Sequence, residues 1–315
     1  MNLIFFTTIP RHAIWGGTLI KKYFNYPWFP DTIGQSWSFS AQKESSNVVV
    51  RGEYKGMTLH ELWNKQPELF HSHCEEFPFI ISLVAPEDDL SIQVHPDKEH
   101  AEKLGFKTGK NEAWYFIDAK EDSNIVYGHN ASDENEIKEF IRQDRWDDLI
   151  RHMPVKTGDF VYIPAGKLHA LRKGSIVYEV QQSTDITYRF YDYHRKDKDG
   201  MERELHLNQA IDCLTYTDQT NELPGYPKMK QVDNAKITYF WNDTSFCIMK
   251  LEIRGLSILP FHKYQLATVV RGSGYVEGEY VSIGDSFLIP YGRKELSFDG
   301  DMDIMITFEG IKTLT

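Results

Sequence analysis

The chain of 315 residues is acidic, with a formal net charge of −11, and 41% of its residues are hydrophobic. This length is typical of about two ordinary domains, and the apolar content suffices for packed cores. The sequence has no arginine- or lysine-rich stripe and no apolar run of about 20 residues, which excludes the usual signals of nucleic-acid binding and of a membrane-spanning helix. Its three cysteines (Cys74, Cys213 and Cys247) are sparse and unpatterned, which predicts a cytoplasmic protein without a cysteine-based zinc knuckle.

Short strands dominate the predicted secondary structure, and three helices interrupt them. A helix is predicted from residue 58 to about residue 70, because Thr58 and Glu61 have the spacing of a capping box. Further helices are predicted at 97–104 and, from apolar residues at helical spacing, at 132–150. Segments rich in Val, Ile, Tyr and Phe and bounded by Gly, Pro and Asp predict strands at 80–84, 90–94, 113–117, 124–127, 160–163, 176–181 and 187–191. The pattern indicates a mainly β fold with helices inserted between barrel strands.

Four residues in this β-rich part form a candidate metal site. In the segment LSIQVHP, Gln93 and His95 are two residues apart, so on a strand both side chains point to the same face. Glu112 stands at the head of the next strand-like run, GKNEAWYF. The segment GDFVYIPAGKLH ends at His169 and has the spacing of a cupin signature, in which a Pro-Gly turn aims a histidine into the barrel mouth. Two imidazoles, a carboxylate and an amide oxygen suit zinc or another borderline divalent ion.

The last third of the chain repeats this signature without its histidine. The run GDSFLIPYGRKE ends at Glu295 and reproduces the glycine and proline spacing of the first copy, with glutamate where the first copy has His169. The only nearby histidine, His262, has no partner at a two-residue spacing. We therefore expect a second, degenerate cupin barrel without a metal site.

The repeat and the composition suggest two domains. We expect a catalytic cupin domain with helical insertions over residues 1–220 and the degenerate cupin domain over 221–315. Strand-like runs at 239–253 and 264–270, with a GSG turn at Gly272, support the second barrel. The polar stretch 217–234 is the predicted linker.

The chain resembles the type I mannose-6-phosphate (phosphomannose) isomerases, and in particular their short bacterial branch within the cupin superfamily. The matching blocks are AIWGG at 13–17, LSIQVHP at 90–96, GKNEAWYFIDA at 109–119, IPAGKLHAL at 163–171, YEVQQSTDITYRFYDYHR at 178–195 and RELHL at 203–207. The resemblance implies an isomerase with one Zn²⁺ per chain that interconverts mannose 6-phosphate and fructose 6-phosphate through a cis-enediol. It assigns metal ligation to Gln93, His95, Glu112 and His169, and a catalytic role to Arg189.

Further site residues are predicted around this set. Lys110, two residues before Glu112, is a candidate for proton relay and phosphate contact. Substrate contacts are predicted for Ser91, Lys110, Lys167 and Arg189. A surface ion pair with Asp185 or Asp192 is the structural alternative for Arg189. The general base stays open between a bound hydroxide, Lys110 and a carboxylate under the requirement of hydrogen-bond reach and a suitable pKa.

Two departures from the resembling family concern the substrate region. Many relatives carry a lysine where this chain has Ser82, and a Gly-Glu-x-Trp segment where this chain has Gln35 in place of the glutamate. An isomerase for a related sugar therefore stays an alternative, as do a non-catalytic cupin that binds sugar or metal and an iron-dependent dioxygenase. Lys110 and Arg189 favour an enzyme, because a passive metal site needs neither.

Overall fold

The structure is a computed structural model that describes residues 2–197, 199–216 and 226–310. The described strands, in chain order, are β1 (Ile4–Phe5), β2 (Ile9–Gly17), β3 (Ile33–Gln42), β4 (Ser45–Ser46), β5 (Phe79–Val84), β6 (Ile92–Val94), β7 (Glu112–Ala119), β8 (Asn124–His129), β9 (Ile150–Pro154), β10 (Phe160–Ile163), β11 (His169–Ala170), β12 (Ser175–Gln182), β13 (Tyr188–Tyr191), β14 (Lys228–Val232), β15 (Ala235–Asn242), β16 (Cys247–Arg254), β17 (Ser257–Pro260), β18 (Gln265–Val276), β19 (Glu279–Ser282), β20 (Ser286–Ile289) and β21 (Glu295–Phe308). The described helices are α1 (Leu19–Tyr23), α2 (Leu59–Lys65), α3 (Lys98–Glu102), α4 (Glu134–Arg142), α5 (Trp146–Leu149) and α6 (Leu207–Cys213), with a 3-10 turn at Pro67–Leu69. None of these helices is long and apolar enough to cross a membrane.

The strands form three antiparallel sheets. A seven-stranded sheet has the order β10-β7-β12-β5-β3-β2, with β4 paired to β3, and a five-stranded sheet has the order β13-β6-β11-β8-β9. A nine-stranded sheet has the order β1-β20-β18-β21-β16-β15-β14, with β17 on β21 and β19 on β18. The first strand of the chain therefore belongs to the same sheet as the last.

The apolar cores show how the sheets enclose two barrels. The seven-stranded and five-stranded sheets share a core that includes Trp114 and Tyr127, which is the interior of the first barrel. The nine-stranded sheet curls around its own core, which includes Val269 and Phe298. A third core joins the outer face of the seven-stranded sheet to the nine-stranded sheet and to α1 and α2. Because β5 lies between two cores, all six of its residues are buried, and Ser82 is its one polar side chain.

The predicted mainly β architecture with helices in the first two-thirds is confirmed. The capping box is also confirmed, because the Thr58 hydroxyl accepts from the Glu61 amide and the Glu61 carboxylate accepts from the Thr58 amide. The single helix predicted over 132–150 is wrong. The chain forms α4 and α5 instead, since Asp144 between them has a φ of 55°, outside the right-handed helical region.

Two expectations for the last third also need correction. The GSG segment at Gly272 is not a turn, because β18 continues through it and pairs with β21 over a bulge, and Gly272 has a φ of 72° there. Part of the predicted linker is ordered as β14, while residues 217–225 lie outside the described residues. The proposed domain boundary at 220 also lies outside them and stays a prediction.

Candidate metal centre and its surroundings

Three of the four predicted ligands converge at one end of the first barrel. His95 follows β6, Glu112 begins β7, and His169 begins β11. The Nε2 atom of His95 is 3.2 Å from Glu112 Oε1, and the Nε2 atom of His169 is 3.3 Å from Glu112 Oε2. Each side chain offers one ligand atom, and these atoms lie within 4.8 Å of one another. All three side chains are buried.

In each histidine ring, the hydrogen bond at Nδ1 determines whether Nε2 can bind a cation. The backbone carbonyl of Ile186 lies 2.8 Å from His95 Nδ1, and that of Lys167 lies 2.8 Å from His169 Nδ1. A carbonyl accepts only, so each Nδ1 carries the proton and each Nε2 presents a lone pair. Two lone pairs then face carboxylate oxygens across about 3 Å, which is unfavourable unless a cation lies between them. Neither Nε2 atom, nor Glu112 Oε2, has a hydrogen-bond partner among the described residues.

The charge state of these groups also fits a metal site. Burial lowers the pKa of His95 to about 4, in spite of the opposing attraction of Glu112. Burial raises the pKa of Glu112, but the attraction of protonated His95 and that of Lys110 outweigh burial and hold this pKa well below its ordinary value. Near pH 7 the site therefore holds a neutral imidazole and a carboxylate, the ligand forms that a divalent ion requires.

The sheet register places the other predicted residues around the triad. Gln93 lies opposite His169 on one side and opposite Arg189 on the other. Ser91 is buried and directly precedes β6. The Nζ atom of Lys110 is 3.3 Å from Glu112 Oε1, and Lys110 is itself buried.

Arg189 is half-buried and does not form the ion pairs considered above. One of its guanidinium nitrogens donates to the backbone carbonyl of Glu204 at 2.6 Å. Asp192 instead accepts from Arg195 at 2.6 Å and from both Nε and Nη2 of Arg203 at 2.7 Å. Burial lowers the pKa of Arg189, and the charges of Arg203 and Arg195 lower it further. Three arginines thus share the neighbourhood of one buried carboxylate.

Lys167 has its described contacts at a different cavity. Its Nζ atom lies 4.4 Å from the ring centre of Tyr127. Lys167 also lines a cavity of about 280 Å³ together with His129 and Arg151. Its backbone carbonyl orients His169. A direct role of Lys167 in substrate binding stays a prediction.

A buried carboxylate on β12, Glu179, was missed by the sequence reasoning. It accepts hydrogen bonds from Trp114 at 2.9 Å, from Ser82 at 3.1 Å and from Gln181 at 3.2 Å, all of them neutral donors. Burial, and then the charge of Glu112, raise its pKa to about 7. The available signal was a glutamate within the predicted strand segment YEVQQ, because charged residues are almost never fully buried unless they are paired.

A cavity of about 590 Å³ opens beside these strands. Its wall includes Trp37, Ser183 and Asp185. Trp37 lies opposite Ser82 in the seven-stranded sheet, and Ser183 follows β12, whose residue Gln181 lies opposite Glu112. A cavity of this size is typical of sites for small organic molecules.

Comparisons with known proteins agree on one family. Residues 4–127 match the family model described as phosphomannose isomerase type I, catalytic domain. Mannose-6-phosphate isomerase ManA of Bacillus subtilis is 36% identical over 316 residues, with 96% of this chain and 98% of the relative covered. Mannose-6-phosphate isomerase of Streptococcus mutans is also 36% identical, with 96% of each chain covered.

Solved structures agree with these relatives. The crystal structure of mannose 6-phosphate isomerase from Bacillus subtilis has a TM-score of 0.90 and 34% identity, with 98% of this chain and 100% of that chain covered. A variant of phosphomannose isomerase from Salmonella typhimurium has a TM-score of 0.76 at 11% identity, with 99% and 100% covered, which supports the fold alone.

Proposed function

The chain belongs to the type I phosphomannose isomerases, and from that premise we propose that it interconverts mannose 6-phosphate and fructose 6-phosphate at the His95–Glu112–His169 triad. The observation that carries this proposal is the pair of ring nitrogens that present lone pairs to a buried carboxylate at 3.2 and 3.3 Å. That arrangement is suited to a divalent cation.

We propose Zn²⁺ as the ion, with His95, Glu112 and His169 as ligands and Gln93 as a weaker fourth. The donor set of two imidazoles, one carboxylate and one amide oxygen supports a borderline ion. When bound, such an ion supplies Lewis-acid polarisation of the sugar oxygens. The proposal of zinc depends on the chemistry of the donor atoms alone. Manganese and cobalt are therefore included in the test below.

The reaction moves a proton between C1 and C2 of the sugar, and the chain offers two groups for that task. Glu179 has a pKa of about 7, and a group with that pKa can both accept and return a proton near neutral pH. Lys110 acts electrostatically on both Glu112 and Glu179. We assign proton transfer to Glu179, with Lys110 stabilising the negative charge that develops on the substrate oxygens.

The phosphate of the substrate requires local positive charge in an acidic chain. Arg189 lies opposite Gln93, a proposed ligand. Arg195 and Arg203 both pair with Asp192, and Arg195 also pairs with Asp88 at 3.0 Å, so the three arginines exceed the two carboxylates by one charge. We propose that this arginine group binds the phosphate of the substrate, with Ser91, which directly precedes β6, as a hydroxyl partner.

We also propose a cytoplasmic location, which the cysteines support. The three cysteines are free thiols, of which Cys213 and Cys247 are buried. Free thiols are typical of a reducing compartment, and a sugar phosphate is an intracellular metabolite class, so we place the protein in the cytoplasm.

A coupled assay of fructose 6-phosphate formation from mannose 6-phosphate tests the proposal. Activity is expected in the purified protein, is lost after treatment with a chelator, and returns with zinc, cobalt or manganese. Unphosphorylated mannose is expected to be far poorer, because binding of the remote phosphate contributes to the reacting geometry. Activity that survives complete metal removal would overturn the metal-dependent mechanism, and equal turnover of the two sugars would overturn the phosphate assignment.

A further inference from the structure

The second barrel repeats the metal-binding segments of the first with altered side chains. The segment LSIQVH, which ends at His95, recurs as LSILPF, which ends at Phe261. The segment KNE, which ends at Glu112, recurs as KYQ, which ends at Gln265. In both barrels the last residue of the second segment begins a long strand, β7 in the first and β18 in the second.

The sheet register shows that this is a structural correspondence. Glu112 lies opposite Ile163, and Gln265 lies opposite Ile289, and each of these isoleucines directly precedes a proline of the repeated turn. The two residues therefore occupy equivalent positions in their barrels.

The same comparison identifies the counterpart of His169. His169 lies opposite Gln93, and the residue opposite Leu259 is Leu296. The sequence repeat pointed instead to Glu295, which is exposed and lies one residue earlier. Leu296 is 1% exposed, so the inward position in the second barrel is apolar.

The four ligand positions thus become Leu259, Phe261, Gln265 and Leu296 in the second barrel. Three of them, Leu259, Phe261 and Gln265, line a cavity of about 220 Å³. The rest of its wall comprises the apolar residues Ile237, Met249, Leu251, Pro260 and Phe308, with Lys230, Tyr239, His262 and Lys263 as the titratable members. The cavity is at the place where the first barrel has its triad.

Gln265 is the one buried amide in this wall. It is 6% exposed, and its Oε1 atom has no hydrogen-bond partner among the described residues. A buried amide oxygen without a partner is unfavourable, so a ligand that pairs with it gains this interaction in addition to apolar contact. The cavity thus combines a mostly apolar wall with one buried, unpaired amide oxygen.

We propose that the second barrel binds a small, mostly apolar molecule that carries one hydroxyl group, of the phenol class, in this cavity. A hydroxyl both donates and accepts, so it pairs with an amide whichever way the amide is oriented. The apolar body of such a molecule matches the leucine and phenylalanine side chains that replace metal ligands. This site is separate from the proposed isomerase site and is independent of its metal.

Calorimetric titration of the full metal-loaded protein with p-cresol and with toluene tests the proposal, because the two probes differ by one hydroxyl. We expect p-cresol to bind at millimolar or lower concentration and about three- to tenfold more tightly than toluene, the ratio expected for one hydrogen bond. In Gln265→Leu the two affinities should come within about twofold of each other. Leu259→Trp should abolish binding of both, because the larger ring fills the cavity.

Ile258→Trp is the matched control, since Ile258 precedes Leu259 on β17 and is 51% exposed. It should bind p-cresol as the wild type does. Zinc content and isomerase activity of each variant show whether the first barrel is intact and separate misfolding from loss of the ligand. Absence of binding to either probe at millimolar concentration overturns the proposal. Binding that survives Leu259→Trp, or a p-cresol preference that survives Gln265→Leu, also overturns it.

Discussion

Replacement of Glu179 by glutamine should make the metal-free protein more stable at neutral pH while it lowers activity. Glutamine has the same shape, and its oxygen can still accept from Trp114 while its NH2 group donates to the Ser82 hydroxyl, but it cannot ionise. In the wild type, burial and then the charge of Glu112 raise the pKa of Glu179 from 4.5 to about 7. The variant therefore removes one buried ionisable group and loses few contacts.

The sign and size of the effect follow from that pKa. Below pH 4.5, Glu179 is protonated in both folded and unfolded chains and does not change stability with pH. Between pH 4.5 and 7 the unfolded chain releases the proton while the folded chain retains it, so folding becomes less favourable as the pH rises. At 1.36 kcal/mol per pKa unit, the raised pKa corresponds to about 3 kcal/mol. The difference in free energy of unfolding between Glu179→Gln and the wild type should therefore grow by this amount, in favour of the variant, from pH 4 to pH 8.

Urea denaturation of chelator-treated protein at several pH values measures this difference. Glu53→Gln is a suitable control, because Glu53 is exposed, and this variant should follow the wild type at every pH. A difference between Glu179→Gln and wild type that does not change with pH would show that Glu179 has an ordinary pKa. A difference that changes in the opposite direction would show that Lys110 holds the carboxylate ionised. In the loaded enzyme, kcat should fall by about two to four orders of magnitude if Glu179 transfers the proton.

Three further predictions concern metal content, the arginine group and stability. Elemental analysis should find one divalent ion per chain and almost none in His169→Ala; two ions per chain would contradict a single site. Arg189→Ala should lower kcat by about two to four orders of magnitude at unchanged metal content and Tm, and Arg189→Lys should recover little; a parallel loss of Tm would instead indicate a structural role. Asp192→Ala should lower the free energy of unfolding by about 3 kcal/mol in urea, because Arg195 and Arg203 lose a buried anion; an unchanged midpoint would show that water replaces the carboxylate.

The sequence was informative where local rules determine position. The two-residue spacing of Gln93 and His95 and the Pro-Gly turn before His169 are local features, and the structure does bring His95 and His169 together around Glu112. The strand at 160–163 was predicted to the residue, because a hydrophobic run there is bounded by Asp159 and Pro164. The other strands predicted in the first two-thirds differ from the observed ones only at their ends. Strands β1–β4, β9 and β11 were not predicted, and the run predicted at 239–253 is divided between β15 and β16.

Features that depend on pairing between distant strands could not be predicted in the same way. The hydrogen bond from Ser82 to Glu179 joins residues 97 positions apart, and nothing local to either residue announces it. For the same reason, the counterpart of His169 that was predicted in the second barrel is one residue away from the observed counterpart. Spacing within a turn selected Glu295, whereas pairing between β17 and β21 turns Leu296 inward, and a shift of one residue on a strand exchanges the two faces.

The pairing of β1 with β20 has a consequence for how the chain is made. Ile4 is synthesised long before its partner Leu288. At about 5–20 residues per second the interval between them is on the order of tens of seconds. During that time the apolar segment that includes Leu3 and Phe5 has no sheet to join. The nascent protein must therefore keep β1 protected until β20 has been made, and a chaperone that binds short apolar segments is suited to that task.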